Sequence, residues 1–267
     1  MEKLIVESNE AYNLRPGVRS TWLKGLLSGT PAHLQESILN PKPPTAAMLI
    51  GSSVHDAGLQ PDVFAKYVIS PKFDRRTKEG KAAAADFEAS SAGKIIVDEE
   101  TFRIVEGCLH SIYSHKEAKR ILSSGRSEMT AAWKDSEFGI ECKARPDILD
   151  GKIVGELKTC DDAGPFGFAK QVANLKYHVQ AYHYLRGLTE LTGETHDCFR
   201  IVAVEKKAPF AVAVYELDFS TLEKAEKLWR KAMGIYSQCV TLNEWPSYPQ
   251  TIQTLSIPAW AYVGGEE

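Results

Sequence analysis

The sequence predicts an α/β (α+β) protein in which helices flank a central mixed β-sheet. Three observations carry this expectation. Stretches with apolar residues at helical spacing fill the first half of the chain. Short alternating segments follow between Ser127 and Thr159, and helix and strand patterns then take turns to the end. A helical segment over 165–188, set between the alternating run and a strand at 198–204, can cross the sheet and return the chain beside it.

Taken in order, residues 1–15 are polar with one short apolar run, read as a strand or an arm. Ser20 is placed to cap a helix through Trp22, Leu23, Leu26 and Leu27, closed by Gly29 and Pro31. Thr30-Pro31 opens another helix to about Leu39, with proline in its favoured first turn. Asn40 to Pro44 is a rigid loop. Ala46 to Leu59 reads as a helix with Met48, Leu49, Ser52, His55 and Leu59 at helical spacing. A compact cationic cluster follows, Arg75, Arg76, Lys78 and Lys81, with a helix from Lys78 to Ser90.

Ile95-Ile96-Val97 and Asp98 lead into a helix over 99–114, and a shorter one spans Lys116 to Leu122. Ser127 to Asp135, Phe138 to Leu149 and Lys152 to Thr159 form a three-stranded meander, with Glu128 at the start of its first strand, where it can face the same site as the hairpin. After the helix over 165–188 come strands from Cys198 to Val204 and from Phe210 to Leu217. Asp218 then introduces a long helix from Thr221 to about Cys239. The chain reads as one domain, 1–267, with an N-terminal helical arm (1–45) and a Pro- and aromatic-rich tail (240–267).

The 267 residues are 43% hydrophobic and 25% charged, with a net charge of −3, so the chain as a whole does not attract polyanions. A nucleic-acid partner requires a locally basic groove. The five cysteines (Cys108, Cys142, Cys160, Cys198, Cys239) form no C-x-x-C pair, which gives zinc or iron–sulfur ligation little support. No apolar leader or membrane-length run is visible, so a cytoplasmic protein with reduced thiols and no membrane partner is expected.

The chemistry concentrates between Gly139 and Thr159. Asp150-Gly151 predicts a type I′ hairpin turn, pairing Leu149 with Lys152 and Asp147 with Val154. Alternation then puts Asp147, Glu156 and Lys158 on one face. Two carboxylates and an ammonium are costly to bury together unless a further charge compensates them, and a divalent metal with oxygen ligands does so. The same alternation also describes an exposed strand face with one salt bridge, and spacing leaves both readings open. His55 is likewise either a packed core histidine or a ligand. The cluster from Arg75 to Lys81 suits phosphate or a solvated loop equally. Tyr177, Gln180 and Tyr184 form one stripe at i, i+3 and i+7 on the following helix.

Collected in this order, Pro146-Asp147, Glu156-Leu157-Lys158, His55 upstream and the Y-H-V-Q-A-Y-H-Y helix downstream resemble the PD-(D/E)xK nuclease superfamily. Within it they look like the RecE/exonuclease VIII-type phage recombination exonucleases. The F-D-R-R-T-K-E-G-K run, T-P-A-H-L and the W-P-x-Y…P-x-W tail add to the likeness, which covers roughly residues 18–262. The resemblance implies a restriction-endonuclease-like core. It also implies that Asp147, Glu156 and the backbone carbonyl of Leu157 bind Mg²⁺ or Mn²⁺ with His55. Lys158 would position or activate water. Gln180, Tyr184 and Tyr177 would orient the lysine and contact DNA.

The activity implied is 5′-to-3′ digestion of linear double-stranded DNA to a 3′ overhang, on which a single-strand annealing protein (RecT-like) loads. The protein would be a homo-oligomeric ring, trimeric or tetrameric. Arg75 to Lys81 would track the backbone or hold a 5′-phosphate. The alternatives are a RecB-like or CRISPR-adaptation-type nuclease acting on single strands or flaps, a non-catalytic DNA-binding module of the same fold, and a restriction endonuclease. For the last of these, 267 residues show no separate recognition domain.

Overall fold

A computed structural model describes residues 4–258. The chain runs β1 (Leu4–Val6), α1 (Asn9–Leu14), α2 (Ser20–Leu26), α3 (Pro31–Leu39), α4 (Ala46–Leu59), α5 (Pro61–Phe64), β2 (Tyr67–Ile69), α6 (Lys78–Ser90), β3 (Ile95–Val97), α7 (Glu99–Ser114) and α8 (Lys116–Ser123). It continues through β4 (Arg126–Ser127), β5 (Met129–Lys134), β6 (Glu141–Ala144), β7 (Ile148–Asp150), β8 (Ile153–Cys160), α9 (Pro165–Asn174), α10 (Tyr177–Thr192), β9 (Cys198–Glu205), β10 (Val212–Glu216) and α11 (Phe219–Leu242).

The central sheet is mixed and has the order β10-β9-β8-β7-β4. β8 and β9 run parallel over eight residue pairs, from Ile153 opposite Cys198 to Cys160 opposite Glu205. A parallel neighbour needs a crossover, and α9 and α10 supply it. Strand alternation sends Phe199, Ile201 and Ala203 of β9 into one core, with Trp229, Met233 and Leu188 of the helices. Val202 and Val204 go into the opposite core, with Val54, Val105 and Ile112. The sheet is thus covered on both sides. A second sheet, β1-β5-β6, and the short parallel pair β2-β3 complete the strands among the described residues.

Helix ends follow local chemistry. Thr30, Thr45, Thr77, Asp98 and Asp218 cap their helices by accepting from backbone N–H groups three residues on. Ser20 does not cap: Arg19 holds that position without a side-chain bond, and Ser20 is buried inside α2. The single helix expected over 165–188 is two, α9 and α10. Lys176 takes a left-handed conformation (φ 53°) between them. The expected meander is also divided. Glu128, at φ 55°, separates β4 from β5, and Arg145-Pro146 separates β6 from β7, so its strands serve two sheets. Proline cannot donate to a ladder, which explains the second break.

The hairpin turn is shifted by one residue from its expected place. Asp150 pairs with Ile153, leaving Gly151-Lys152 as the loop, and of these two only Gly151 has positive φ (57°). Glycine at the first central position with an ordinary second residue is what a type II′ turn requires, not a type I′ turn. Part of the Pro- and aromatic-rich tail, Trp260 included, lies outside the described residues. Within them the tail packs back on α3, where the Ala32 N–H donates to the Pro246 carbonyl at 3.2 Å and the His33 and Tyr248 rings meet edge-on.

Two close approaches set the helices against the strands that carry the chemistry. On α4, Gly51, His55 and Gly58 share a face. A Cβ on either glycine would touch β8, at Thr159 (3.3 Å) or Leu157 (3.4 Å), so the helix lies close enough for His55 to reach across. On α10, Gly187 lies on the Trp133 ring of β5, and a methyl group there would stand inside the ring's van der Waals envelope. Gly187→Ala is therefore expected to destabilise the fold by about 1–3 kcal/mol through overpacking. Urea unfolding against the wild type measures it, and an unchanged midpoint would show that α10 can shift freely.

Candidate active site

Asp147 and Glu156 are brought together by the β7–β8 register. Ile148 pairs with Gly155, so one further step sets Asp147 opposite Glu156. Both are buried, 6% and 1% exposed. Their carboxylates are tied into the backbone of the opposite strand. Asp147 Oδ2 accepts the Leu157 N–H at 2.7 Å, and Glu156 Oε1 accepts the Asp147 N–H at 3.2 Å. The remaining oxygens turn in different directions. Asp147 Oδ1 faces His55 Nε2 at 3.0 Å, while Glu156 Oε2 accepts from Gln180 Nε2 at 2.9 Å and pairs with Lys158.

His55 Nε2 also lies 2.9 Å from Glu128 Oε1. Among the described residues, His55, Glu128 and Asp147 are the group of potential metal-ligating side chains whose donor atoms all lie within 4.8 Å of one another. Glu128 gets there through its left-handed backbone. Its N–H donates to the Asp147 carbonyl at 3.1 Å, and Arg145 Nε, buried beside it, holds Glu128 Oε2 at 2.7 Å. Sequence reasoning put Glu128 at a strand start, able to face this site, but gave it no place among the ligands. Positive φ at a glutamate has no sequence signature.

The sequence-collected residues divide by place. His55, Leu157, Lys158 and Tyr177 line one cleft with Glu128, about 770 Å³ in volume. Glu156 sits behind Lys158, bonded to Gln180 on α10. Tyr184 is deeper, 8% exposed and stacked edge-on against Phe199. What the structure records at Leu157 is its N–H on Asp147. Arg75, Arg76, Lys78 and Lys81 lie outside the cleft lining, around the start of α6. The two arginines are exposed and paired locally, Arg75 with Glu88 at 2.7 Å and Arg76 with Asp74 at 2.9 Å. Short-range pairing by their own segment leaves only the two lysines of that cluster without a carboxylate partner among the described residues.

Burial opposes charge on every group here, and the neighbours decide the outcome. Burial works against a charged His55, but Asp147, with Asp56 and Glu128, outweighs it and holds the imidazole proton well above the usual histidine range. Burial also works against ionised Asp147, yet His55, Lys158 and the Leu157 N–H bring it below the usual carboxylate range. Glu156 goes the other way. Burial and the charge of Asp147 push it up to about 7, with Lys158 pulling against them. Burial disfavours the Lys158 charge, but Glu156 and Asp147 more than restore it, so the ammonium is held charged.

The donor set of one imidazole and carboxylate oxygens suits Mg²⁺ or Mn²⁺, and removing the proton that His55 shares between two acids would free that set for a cation. The five cysteines are unpaired and belong to no metal-ligating group among the described residues. No helix among the described residues is long and apolar enough to cross a membrane.

A mixed sheet covered on both sides, with an acid pair and a lysine on its central hairpin, has the plan of a PD-(D/E)xK nuclease core. The match to a family model agrees: residues 20–257 fit the PDDEXK-like domain of unknown function (DUF3799), and the chain belongs to that family. Among solved structures, the chain is similar to a "Putative exonuclease" from Eubacterium rectale. The TM-score is 0.66 at 13% identity, over 98% of this chain and 100% of that one, which places the two in the same fold. A phage related exonuclease from Haemophilus somnus 129PT aligns with 88% of this chain and 100% of its own at 12% identity, with a TM-score of 0.31, too low to carry an argument. Among curated proteins, none matches this chain.

The pKa directions fix a pH dependence. His55 and Glu156 bind their protons more tightly folded than unfolded. Their contribution to stability is complete below their unfolded values and is lost as the pH rises through the folded ones. Asp147 contributes in the opposite sense, above its unfolded value, and loses its contribution only in acid. The metal-free protein is therefore expected to lose on the order of 1–3 kcal/mol between pH 5.5 and 8.5. Thermal melts in chelator should show the fall, and Glu156→Gln should flatten it. A stability that rises over that interval contradicts the assignment.

Proposed function

We propose that this protein is a divalent-metal-dependent exodeoxyribonuclease acting on linear double-stranded DNA. The observation that carries the reading is His55 Nε2 set between the Glu128 and Asp147 carboxylates, beside a charged lysine, in an open cleft. His55, Glu128 and Asp147 would hold Mg²⁺ or Mn²⁺, and the resemblance adds Glu156 and the Leu157 carbonyl to that set. When bound, the ion supplies charge neutralisation on a phosphate oxygen and lowers the pKa of water.

The chain's own residues do the rest. Lys158, kept protonated, presents positive charge where negative charge grows on the phosphate, an effect of about 3–4 kcal/mol for a comparable donor. Gln180 holds Glu156 Oε2, and the Glu156–Lys158 pair in turn fixes the ammonium. Tyr177 lies under the Lys158 ammonium, 5.5 Å from ring centroid to nitrogen, and limits where it can swing. Tyr184 supports Gln180 from inside the core and is not expected to touch DNA.

End-directed digestion rests on the resemblance, which extends the reading to 5′-to-3′ polarity, a 3′ overhang for a single-strand annealing partner, and a ring of three or four chains. The test is digestion of a linear duplex labelled separately at its 5′ and 3′ ends, with a circle as control, in Mg²⁺ and in Mn²⁺. Early release of 5′ label with circles spared is the expected result. Internal cutting of circles overturns the exonuclease, and inert wild-type protein overturns the enzyme. Lys158→Ala and Asp147→Asn should each reduce digestion by at least about a hundredfold while the melting curve stays cooperative. Glu128→Gln should weaken Mn²⁺ binding about 10–100-fold, measured by electron paramagnetic resonance.

A further inference from the structure

Lys24, in the last turn of α2, is half-buried, and no carboxylate pairs with it among the described residues. Its ammonium lies 5.5 Å from the centre of the Tyr177 ring, the same separation that Lys158 keeps from that ring. Two ammonium groups therefore share one aromatic side chain; Lys158 and Tyr177 line the cleft, and Lys24, outside that lining, reaches it through Tyr177. Lys176, the left-handed residue before α10, adds a third positive charge within the field of Lys24. The acid nearest in influence, Glu156, is already held by Lys158 and Gln180.

Like charges gathered away from water cost free energy unless a counter-charge arrives. Burial, then Lys158, bring the Lys24 pKa down to about 8, which marks how poorly that charge is compensated in the chain alone. Three elements from distant parts of the sequence (α2, β8 and the start of α10) converge on this point. That convergence is hard to explain as a solvated surface lysine.

We propose that Lys24 is a substrate-binding residue, a contact to a phosphate of the DNA strand whose scissile bond lies at the Lys158 end of the cleft. The proposal rests on the nuclease reading. It adds a phosphate grip from the N-terminal helices, a position independent of the Arg75 to Lys81 cluster.

The test is metal-free binding of duplex ends in chelator, by fluorescence anisotropy at several salt concentrations, for wild type, Lys24→Ala, Lys24→Gln and Lys24→Arg. Alanine and glutamine should weaken binding about 3–10-fold and make the log–log salt slope shallower by about one. Arginine should restore both, and all four proteins should melt cooperatively. In digestion assays the loss should fall on KM. Parallel duplexes with 5′-phosphate and 5′-hydroxyl ends separate an internal from a terminal phosphate, and weakening in either supports the contact. Wild-type affinity and slope in the alanine and glutamine variants, or no rescue by arginine, overturns it. A wild-type protein that binds ends with this Lys24 dependence yet never digests them overturns the nuclease reading alone.

Discussion

Two carboxylates buried side by side across one β-hairpin set the terms for the rest of this molecule. Asp147 and Glu156 cannot both be charged, dry and alone. The fold answers from both sides of the sheet. α4 brings His55 to one acid, α10 brings Gln180 to the other, and β8 supplies Lys158 and the Leu157 N–H. Each of those helices is docked through a glycine that permits close approach, Gly51 and Gly58 on α4 and Gly187 on α10. The packing of the two cores is thus coupled to the electrostatics of the hairpin. Neither helix can withdraw without leaving a charge or a polar group unpaired.

The split of one extended segment between two sheets belongs to the same arrangement. At Glu128 the backbone turns left-handed, a conformation that costs of order 1 kcal/mol or more in a residue with a side chain. Its carboxylate is held by Arg145 on one oxygen and meets His55 with the other. Arg145 also donates to the Glu7 carbonyl at 3.2 Å, tying the N-terminal segment to the same corner. One arginine therefore joins the N-terminal strand region, the strand break and the acid cluster, which explains a buried guanidinium in a sheet corner.

Much of the fold was legible because periodicity and caps are local. The bounds of α4, α6 and α7 are those read from the sequence, and the structure places capping Thr45, Thr77 and Asp98 directly before them. What failed was non-local or conformational. Asp-Gly is compatible with two turn types, and the sheet register, not the dipeptide, decides that Gly151-Lys152 is the loop. The two-residue shift in pairing preserves side-chain parity, so Asp147, Glu156 and Lys158 share a face in either register. The breaks at Glu128 and Lys176 use positive φ in residues with no special freedom to adopt it, so the meander and the helix each read as continuous. For that reason Glu128 could be set near the site but not among its ligands, whereas His55, Gln180 and Lys158 were reachable through helical and strand spacing.

Charge balance offers one more step. Asp56, Glu128, Asp147 and Glu156 carry four negative charges when all are ionised. Protonated His55, Lys158 and Arg145 carry three positive ones: His55 meets Asp56, Glu128 and Asp147, Arg145 holds Glu128, and Lys158 holds Glu156. One acid is left over, and Glu156, its proton affinity pushed up to about 7 by burial and by Asp147, is the group that takes up the difference. A divalent cation taking the place of the His55 proton would add one positive charge and so balance the fourth acid, with Glu156 left ionised on Lys158. Metal binding would therefore release protons from this cluster, and the chain's four acids would be matched by the cation, Lys158 and Arg145 together.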